Sequence, residues 1–279
     1  MQQESNKNRI DARFANLAEN KECALVCYVV AGFPDFQTTA QIIDALVEGG
    51  ADIIEIGIPF SDPIADGPTI QRASQAALER GSTPAKALQL AKQVRKKHPS
   101  LPLLVMTYSN LFVKPGWGDF IAKCKEAGID GFILPDMPVE EASEYLPKAA
   151  HNGMATVFLA SPNTPEERLK KIAQNSSGFM YLVSVYGITG ARRTFENYTK
   201  DAVQRAKKAA GGKIPVGVGF GISKPEHARF MVNAGADAII VGSALVDRIS
   251  NAKNNRKAML KELKAFSASL KKACYSSRA

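Results

Sequence analysis

Short apolar runs recur along the 279-residue chain, with longer amphipathic stretches between them. Each run has the length and the nearly unbroken apolar character of a strand that is covered on both faces in a parallel sheet. Each stretch has the apolar spacing of a helix that packs by one face. The strand candidates are residues 24–30, 53–57, 103–106, 131–134, 155–159, 179–183, 215–218 and 238–241. The helix candidates between them are residues 38–48, 83–97, 119–127, 140–150, 165–174, 197–210 and 225–234.

The junctions from helix to strand follow one pattern in three places. Segments 48–52, 126–130 and 233–237 each carry glycine at the predicted helix end and aspartate just before the next strand. Glycine fits there because the C-cap of a helix often takes the left-handed conformation. The alternation of eight strands with helices predicts an α/β fold, a single (β/α)8 TIM barrel over residues 1–279. We expect an extra N-terminal helix at about residues 5–20 and a basic C-terminal helix at about residues 253–273, the eighth of the outer ring.

Composition and charge narrow the class of protein. The chain has 45% hydrophobic and 23% charged residues, as globular domains do. The net charge of +9 is concentrated in the C-terminal helix, whose basic face we expect to be solvated. Because no recognition motif accompanies this charge, we do not expect nucleic-acid binding. No apolar run approaches the ~20 residues of a membrane span, and the N-terminus lacks an apolar signal segment, which predicts a cytoplasmic protein without a membrane anchor. The four cysteines lack CxxC spacing, so we expect core thiols.

An acidic residue interrupts the second strand candidate. Glu55 lies in the middle of the apolar run 53–57, and a loop rich in proline and aspartate follows. Burying an unpaired carboxylate costs several kcal/mol or raises its pKa, so such a residue is seldom kept without a task. The alternative is a buried ion-pair partner. Glu55 is therefore the first candidate for an acid or base.

The ends of the strands define where chemistry is expected. In a β/α barrel the active site is built from the loops that follow the strands. This rule places Asp66 after the second strand, Tyr108 after the third, Asp136 after the fourth and Tyr181 in the sixth at one end of the barrel. The three histidines fall elsewhere, and none is placed to catalyse.

Glycines follow the last two strand candidates. Gly219 and Gly221 come after the seventh strand, and Gly242 and Ser243 come after the eighth. Glycine lets backbone N–H groups approach an anion, and the N-terminus of a following helix adds its dipole. Glycine is also ordinary in turns, but two such pairs on adjacent strands predict a site for a phosphorylated small molecule.

The available side chains restrict the reaction. No lysine lies in a strand candidate, which argues against a Schiff-base mechanism. No cluster of histidine and carboxylate faces the active end, so we expect no metal. What remains is carboxylate acid–base chemistry on a phosphorylated substrate. If a C–C bond is broken, the substrate must carry its own electron sink.

The acidic loop carries a family resemblance. Residues 59–71, PFSDPIADGPTIQ, resemble the tryptophan synthase alpha chain family, with Glu55 four residues ahead. The segments YLVS at 181–184, GITG at 187–190, GFGIS at 219–223 and GS at 242–243 resemble it too, and the match runs in order from about residue 10 to residue 270. The resemblance implies cleavage of indole-3-glycerol phosphate into indole and glyceraldehyde 3-phosphate in tryptophan biosynthesis.

The resemblance also implies roles for individual residues. Glu55 would protonate C3 of the indole, Asp66 would accept the N1 proton or stabilise the charge there, and Tyr181 would help to position the side chain. Taken alone, Asp66 could be a turn former and Tyr181 a core aromatic. The phosphate-binding candidates are Gly190, Gly219, Gly221, Gly242 and Ser243, and Thr189 is the loop-closure candidate. The indole-pocket candidates, which could equally be packing residues, are Tyr28, Tyr108 and Phe220.

A partner is implied as well. The resemblance predicts an αββα complex with the tryptophan synthase beta chain, which holds pyridoxal phosphate, whereas this chain is expected to hold no cofactor. The candidates for contact with that partner are Pro59, Asp62, Pro63 and Asp136. A free indole-releasing lyase, an isomerase or epimerase of the same fold, and a silent regulatory subunit that binds a phosphorylated ligand are the alternatives.

Overall fold

The computed structural model describes residues 8–113, 115–183, 192–219, 221–252 and 254–275. The strands in these residues are β1 (Ala24–Val30), β2 (Ile53–Gly57), β3 (Leu103–Met106), β4 (Gly131–Ile133), β5 (Ala155–Val157), β6 (Leu159–Ala160), β7 (Met180–Val183), β8 (Val216–Gly219) and β9 (Ala238–Val241). The helices are α1 (Arg9–Glu19), α2 (Phe36–Glu48), α3 (Pro68–Glu79), α4 (Pro84–Lys97), α5 (Asn110–Val113), α6 (Trp117–Glu126), α7 (Tyr145–His151), α8 (Glu166–Asn175), α9 (Arg192–Ala210), α10 (Pro225–Ala234), α11 (Ser243–Ala252) and α12 (Arg256–Ala273).

The strands form one parallel sheet that closes on itself. Their order is β5-β4-β3-β2-β1-β9-β8-β7-β6. The two ends of this order, β5 and β6, are separated along the chain by Phe158 alone, so together they make one interrupted strand and the barrel has eight strand positions. The predicted TIM barrel is confirmed. The single strand predicted at residues 155–159 is observed as the two short strands β5 and β6, although the Phe158 carbonyl still accepts the Tyr181 N–H at 3.0 Å.

The predicted elements agree with the structure to different degrees. The bounds of β1, β2, β3 and β9 are as predicted. The prediction missed α3, α5 and α11, and the helix predicted at residues 140–150 begins only at Tyr145, after a series of turns. The basic helix α12 packs between α2 and α10, which is the eighth place in the outer ring, as expected. That residues 1–279 form one domain stays a prediction.

The extra N-terminal helix closes the bottom of the barrel. Alternate strand residues point into the barrel and form a separate apolar cluster, to which α1 contributes Ile10, Phe14 and Leu17. The Phe14 ring lies 5.8 Å from that of Phe179 in the barrel interior. Because α1 fills the end where the strands begin, the opposite end, where they finish, is left for a ligand.

The repeated glycine–aspartate junctions join neighbouring strands. Gly50, Gly128 and Gly235 have φ of +96°, +81° and +108°, so the predicted left-handed C-caps are confirmed. The aspartate of each junction has a role that the sequence did not indicate, because its carboxylate accepts a backbone N–H of the adjacent strand. Asp52 accepts from Leu25 at 2.8 Å, Asp130 from Leu103 at 2.8 Å, and Asp237 from Val216 at 2.7 Å. Each also pairs with a cation from the outer layer: Lys271, Arg95 and Lys207 respectively.

Candidate active site

A cavity of about 570 Å³ opens at the ends of the strands. Its lining includes most of the predicted site residues, contributed by several strands and the loops after them: Tyr28, Glu55, Asp66, Tyr181, Gly219, Gly221, Gly242 and Ser243. Thr189, Gly190 and Phe220, predicted for loop closure, phosphate and indole, lie outside the described residues.

Glu55 lies on the floor of the cavity and is 1% exposed. Its place in β2 makes it face the barrel interior, as Ile53 does two residues earlier. The Oε2 atom has no hydrogen-bond partner in the described residues. Burial, with the nearby Asp66 charge as a smaller contribution, raises the pKa of Glu55 to about 8. Glu55 is therefore a carboxylic acid at neutral pH, with a proton to give.

Asp66 stands at the cavity wall in a more polar setting. Burial raises its pKa to about 6, and a hydrogen bond from the Tyr108 hydroxyl opposes that rise. The same hydroxyl accepts the Ala65 N–H at 2.9 Å, and the Tyr108 ring stacks on Phe60 at 5.1 Å. Tyr108 is buried behind the loop and is not among the residues that line the cavity. Its observed position is thus that of a support for Asp66.

Glycines make room for the two tyrosines that line the cavity. A Cβ at Gly57 would lie 2.1 Å from the Tyr28 hydroxyl, and one at Gly219 would lie 2.7 Å from the Tyr181 hydroxyl. Tyr28 is paired in register with Glu55 on the neighbouring strand, and both side chains line the same cavity. Any side chain larger than hydrogen at Gly57 would therefore displace the ring that lies next to Glu55.

The predicted phosphate end lies where β8 and β9 finish. Gly242 directly precedes α11, and the first helical residue is Ser243. The first N–H groups of a helix have no partner within it, so α11 presents donors and the positive end of its dipole to the cavity. Gly221 has φ of +58° with open space where a Cβ would be, so its backbone is accessible to a ligand. This geometry suits an anion.

Several residues of the cavity were not predicted. The walls are apolar, which suits a flat aromatic ring: Met106, Leu159, Ile222 and Ile240. Ser161 and Thr164 line the cavity after β6, and the Thr164 hydroxyl accepts the Ser161 N–H at 2.9 Å. Arg168 of α8 also lines it and pairs with Glu140 at 3.1 Å. Ser161, Thr164 and Arg168 follow the fifth predicted strand, residues 155–159. That position is the sequence signal that could have identified them as site residues.

The residues predicted to contact a partner differ in exposure. Asp62 is exposed, Pro63 is half-buried and Pro59 is buried. Asp136 is half-buried, and its carboxylate accepts the backbone N–H and the hydroxyl of Ser109, the latter at 2.6 Å. Two residues after Asp62, the large apolar side chain of Ile64 is 84% exposed.

Among the described residues there is no group of three or more His, Cys, Asp or Glu side chains that could hold a metal ion. The helices of the described part are also too short or too polar for any of them to cross a membrane.

The fold and the cavity define a β/α-barrel protein with a ligand site at the ends of its strands. The family model described as "Tryptophan synthase alpha chain" matches residues 14–275. The chain therefore belongs to the tryptophan synthase alpha chain family, and its role is that of the alpha subunit in tryptophan biosynthesis, a carbon–carbon lyase.

Individual relatives agree with the family assignment. The tryptophan synthase alpha chain of Methanothermobacter thermautotrophicus is 46% identical over 251 residues, 90% of this chain and 92% of the relative. That of Methanosarcina barkeri is 45% identical over 93% of this chain and 97% of the relative. Among solved structures, tryptophan synthase subunit alpha from Legionella pneumophila has a TM-score of 0.88 at 36% identity, covering 96% of this chain and 98% of that one. A chain of the tryptophan synthase complex from Pyrococcus furiosus has a TM-score of 0.81 at 41% identity, covering 89% and 98%.

Proposed function

We propose that this chain cleaves indole-3-glycerol phosphate to indole and glyceraldehyde 3-phosphate, with Glu55 as general acid and Asp66 as its charged counterpart. The observation that carries the proposal is the pair of carboxylates on one cavity, which their surroundings hold at different pKa values. Such a pair separates the acid from the base without a metal or a Schiff base.

The proton of Glu55 drives the bond cleavage. Glu55 donates it to C3 of the indole ring, which converts the ring into an indolenine with positive charge at N1. The bond from C3 to the hydroxyl-bearing carbon of the glycerol chain then breaks, and its electron pair returns to the ring. The hydroxyl proton goes to the Glu55 carboxylate as the carbonyl of glyceraldehyde 3-phosphate forms. Glu55 thus ends the cycle protonated, and the protein needs no other proton source.

Asp66 stabilises the intermediate. With a pKa of about 6 it is ionised at neutral pH, and a carboxylate beside N1 lowers the energy of the positive ring. Tyr108 keeps that charge on Asp66 by donating a hydrogen bond to it, and holds the loop by accepting the Ala65 N–H. Tyr181, seated against Gly219, positions the glycerol chain between the acids and the phosphate end.

The two ends of the substrate bind in different ways. The phosphate is held by the backbone around Gly219, Gly221 and Gly242 and by the N-terminus of α11 at Ser243. Gly190 and the closing residue Thr189 are proposed to contribute as well. The indole lies between apolar walls with Tyr28 at one side, and Phe220 is proposed to complete this pocket. The separation is useful because binding energy from the unreactive phosphate helps to orient the reacting ring.

The chain acts with a beta chain and without a cofactor of its own. Solved relatives include the tryptophan synthase α2β2 complex of Pyrococcus furiosus, and the present chain is proposed to assemble likewise. Pyridoxal phosphate is expected only in the partner. The contact is proposed for the loop with Pro59, Asp62 and Pro63 and for Asp136, and the exposed Ile64 is proposed to add an apolar contact there. A cytoplasmic location remains a prediction from the sequence.

The direct test is indole release from indole-3-glycerol phosphate by the purified chain, alone and with a tryptophan synthase beta chain. We expect slow release by the chain alone and acceleration when the beta chain is added. Fast release that the beta chain leaves unchanged would refute the complex but keep the lyase. No release in either condition would refute the lyase and favour an isomerase or a regulatory subunit.

A further inference from the structure

Two cysteines that the reaction does not use meet at the opposite end of the barrel. Cys23 directly precedes β1, and Cys274 directly follows α12. Both are free thiols, and their side chains hydrogen-bond to each other. They thus join the first strand of the barrel to the last helix of the described chain.

The backbone holds the two residues opposite each other. Glu22 and Tyr275 form an isolated antiparallel bridge, and the Cys23 N–H donates to the Cys274 carbonyl at 3.0 Å. Residues directly opposite in an antiparallel pair have Cα atoms about 4.5–5.5 Å apart. That range lies within the Cα separation that a disulfide requires, about 4.4–6.8 Å. Because the two thiols also hydrogen-bond to each other, the pair is placed to be joined by a disulfide.

The pairing distinguishes Cys23 from the other cysteine on the same strand. Because α12 runs antiparallel to β1, Cys27 lies opposite Ser267, and its thiol hydrogen-bonds to that residue. The Ser267 hydroxyl in turn donates to the Leu46 carbonyl at 2.9 Å, which fixes its position. The thiol of Cys27 is thus hydrogen-bonded to a serine, whereas the thiol of Cys274 is hydrogen-bonded to that of Cys23.

One of the two cysteines borders a cavity. Cys23 lines a cavity of about 640 Å³ between α1, α9 and α10, beside Lys21, Lys207 and Asp237, whereas Cys274 is fully buried behind it. Burial raises the pKa of Cys23, the Asp237 charge adds to this rise, and Lys271 opposes it. A thiol kept protonated in this way reacts slowly, so the pair is expected to resist oxidation on short exposure.

We propose that Cys23 and Cys274 are a redox modification site, at which hydrogen peroxide produces a reversible intramolecular disulfide. The Cys23 sulfur attacks the peroxide, so that an S–O bond forms and the O–O bond breaks, and the Cys23 proton leaves with hydroxide as water. The Cys274 sulfur then attacks the sulfenic sulfur, the S–S bond forms, the S–O bond breaks, and the Cys274 proton leaves with hydroxide as a second water. The two sulfurs lose two electrons in total, which the peroxide gains.

The disulfide would act on stability. It closes a loop that contains almost the whole barrel, and closing a long loop restricts the unfolded chain strongly. We expect the unfolding temperature to rise by about 5–10 °C. The site lies where the strands begin, away from the cavity at their ends, so the rate of indole release is expected to stay unchanged.

Peptide mapping of the full chain tests the proposal. The chain is treated with hydrogen peroxide for several hours, blocked with an alkylating reagent after unfolding, and digested without reductant. We expect a peptide that links Cys23 to Cys274, two remaining thiols at Cys27 and Cys124, and reversal by dithiothreitol. A link from Cys27 to Cys274, a link between chains, sulfinic acid at Cys23 without any disulfide, or four intact thiols would each overturn the proposal.

Matched variants separate the disulfide from general oxidation damage. The rise in unfolding temperature after peroxide should persist in Cys27→Ser and in Cys124→Ser and vanish in Cys274→Ser. A rise that persists in Cys274→Ser would contradict the assignment. Should Cys274→Ser fail to fold, the peptide map of the unmodified chain decides alone.

Discussion

Replacing Glu55 by Gln should stabilise the ligand-free chain by an amount that grows with pH. The folded chain keeps Glu55 protonated up to about pH 8, whereas an unfolded chain ionises it near pH 4.5. Between these values the folded state binds more protons, so the wild-type chain loses stability as pH rises through this window. Below pH 4.5 that loss is absent, and above pH 8 it is complete. Glutamine does not ionise in either state, so the stability of the variant does not fall with pH at this position.

The magnitude follows from the shift in pKa. pH 7 lies about 2.5 pH units above the pKa of Glu55 in the unfolded chain, so the wild-type chain has lost about 3 kcal/mol of unfolding free energy there. This loss levels off above pH 8 near 5 kcal/mol. For a chain of this size 3 kcal/mol corresponds to a rise of about 6–10 °C in unfolding temperature. The wild-type protein tolerates this cost because the protonated acid is the reagent of the reaction.

The assay is urea or thermal unfolding of wild type and variant between pH 4.5 and pH 9. The matched control is Glu126→Gln, an exposed glutamate on α6, which we expect to change stability by less than about 0.5 kcal/mol at every pH. A Glu55→Gln advantage that is constant with pH, or a variant that becomes less stable relative to wild type as pH rises, would refute the reasoning.

Three further substitutions test other parts of the structure. Asp130→Asn removes a carboxylate that bridges two arginines and a strand N–H, so denaturant unfolding should reveal a loss of about 3 kcal/mol; a loss below 1 kcal/mol would contradict its role at the barrel bottom. Gly57→Ala should displace the Tyr28 ring and reduce kcat/KM for cleavage at least tenfold, and unimpaired cleavage would show that this ring can move freely. Tyr108→Phe removes the hydrogen bond that lowers the pKa of Asp66, so the acid limb of the pH–rate profile should move above pH 6; an unmoved limb would exclude this support.

Patterns local to one segment predicted much of the fold. An apolar run buried on both faces leaves little choice of conformation, which is why the bounds of β1, β2, β3 and β9 agree with the sequence. The same reasoning identified Glu55, because a charge within such a run stands out without any knowledge of its neighbours. The sequence did not predict the interruption between β5 and β6 at Phe158, because this residue is as apolar as the strand around it.

Contacts between distant segments were beyond sequence reasoning. The support of Asp66 by Tyr108 joins residues 42 positions apart, and nothing in either segment marks the pair. The aspartate of each repeated junction was noticed only as a neighbour of the glycine, because its acceptor role depends on the adjacent strand. Helix α11 was missed because it begins within a glycine–serine pair that is also typical of a turn, yet its N-terminus forms much of the proposed phosphate site.

The central claim is that a protonated Glu55 and an ionised Asp66 together cleave the substrate. The most direct test is the pH dependence of kcat/KM for indole release from indole-3-glycerol phosphate, measured for wild type and for Glu55→Gln. The account predicts a bell-shaped profile for wild type, with apparent pKa values near 6 and 8 that belong to the coupled pair, and no measurable turnover for the folded variant. A wild-type rate that stays constant from pH 5 to pH 10, or a Glu55→Gln variant that releases indole at the wild-type rate, would contradict it.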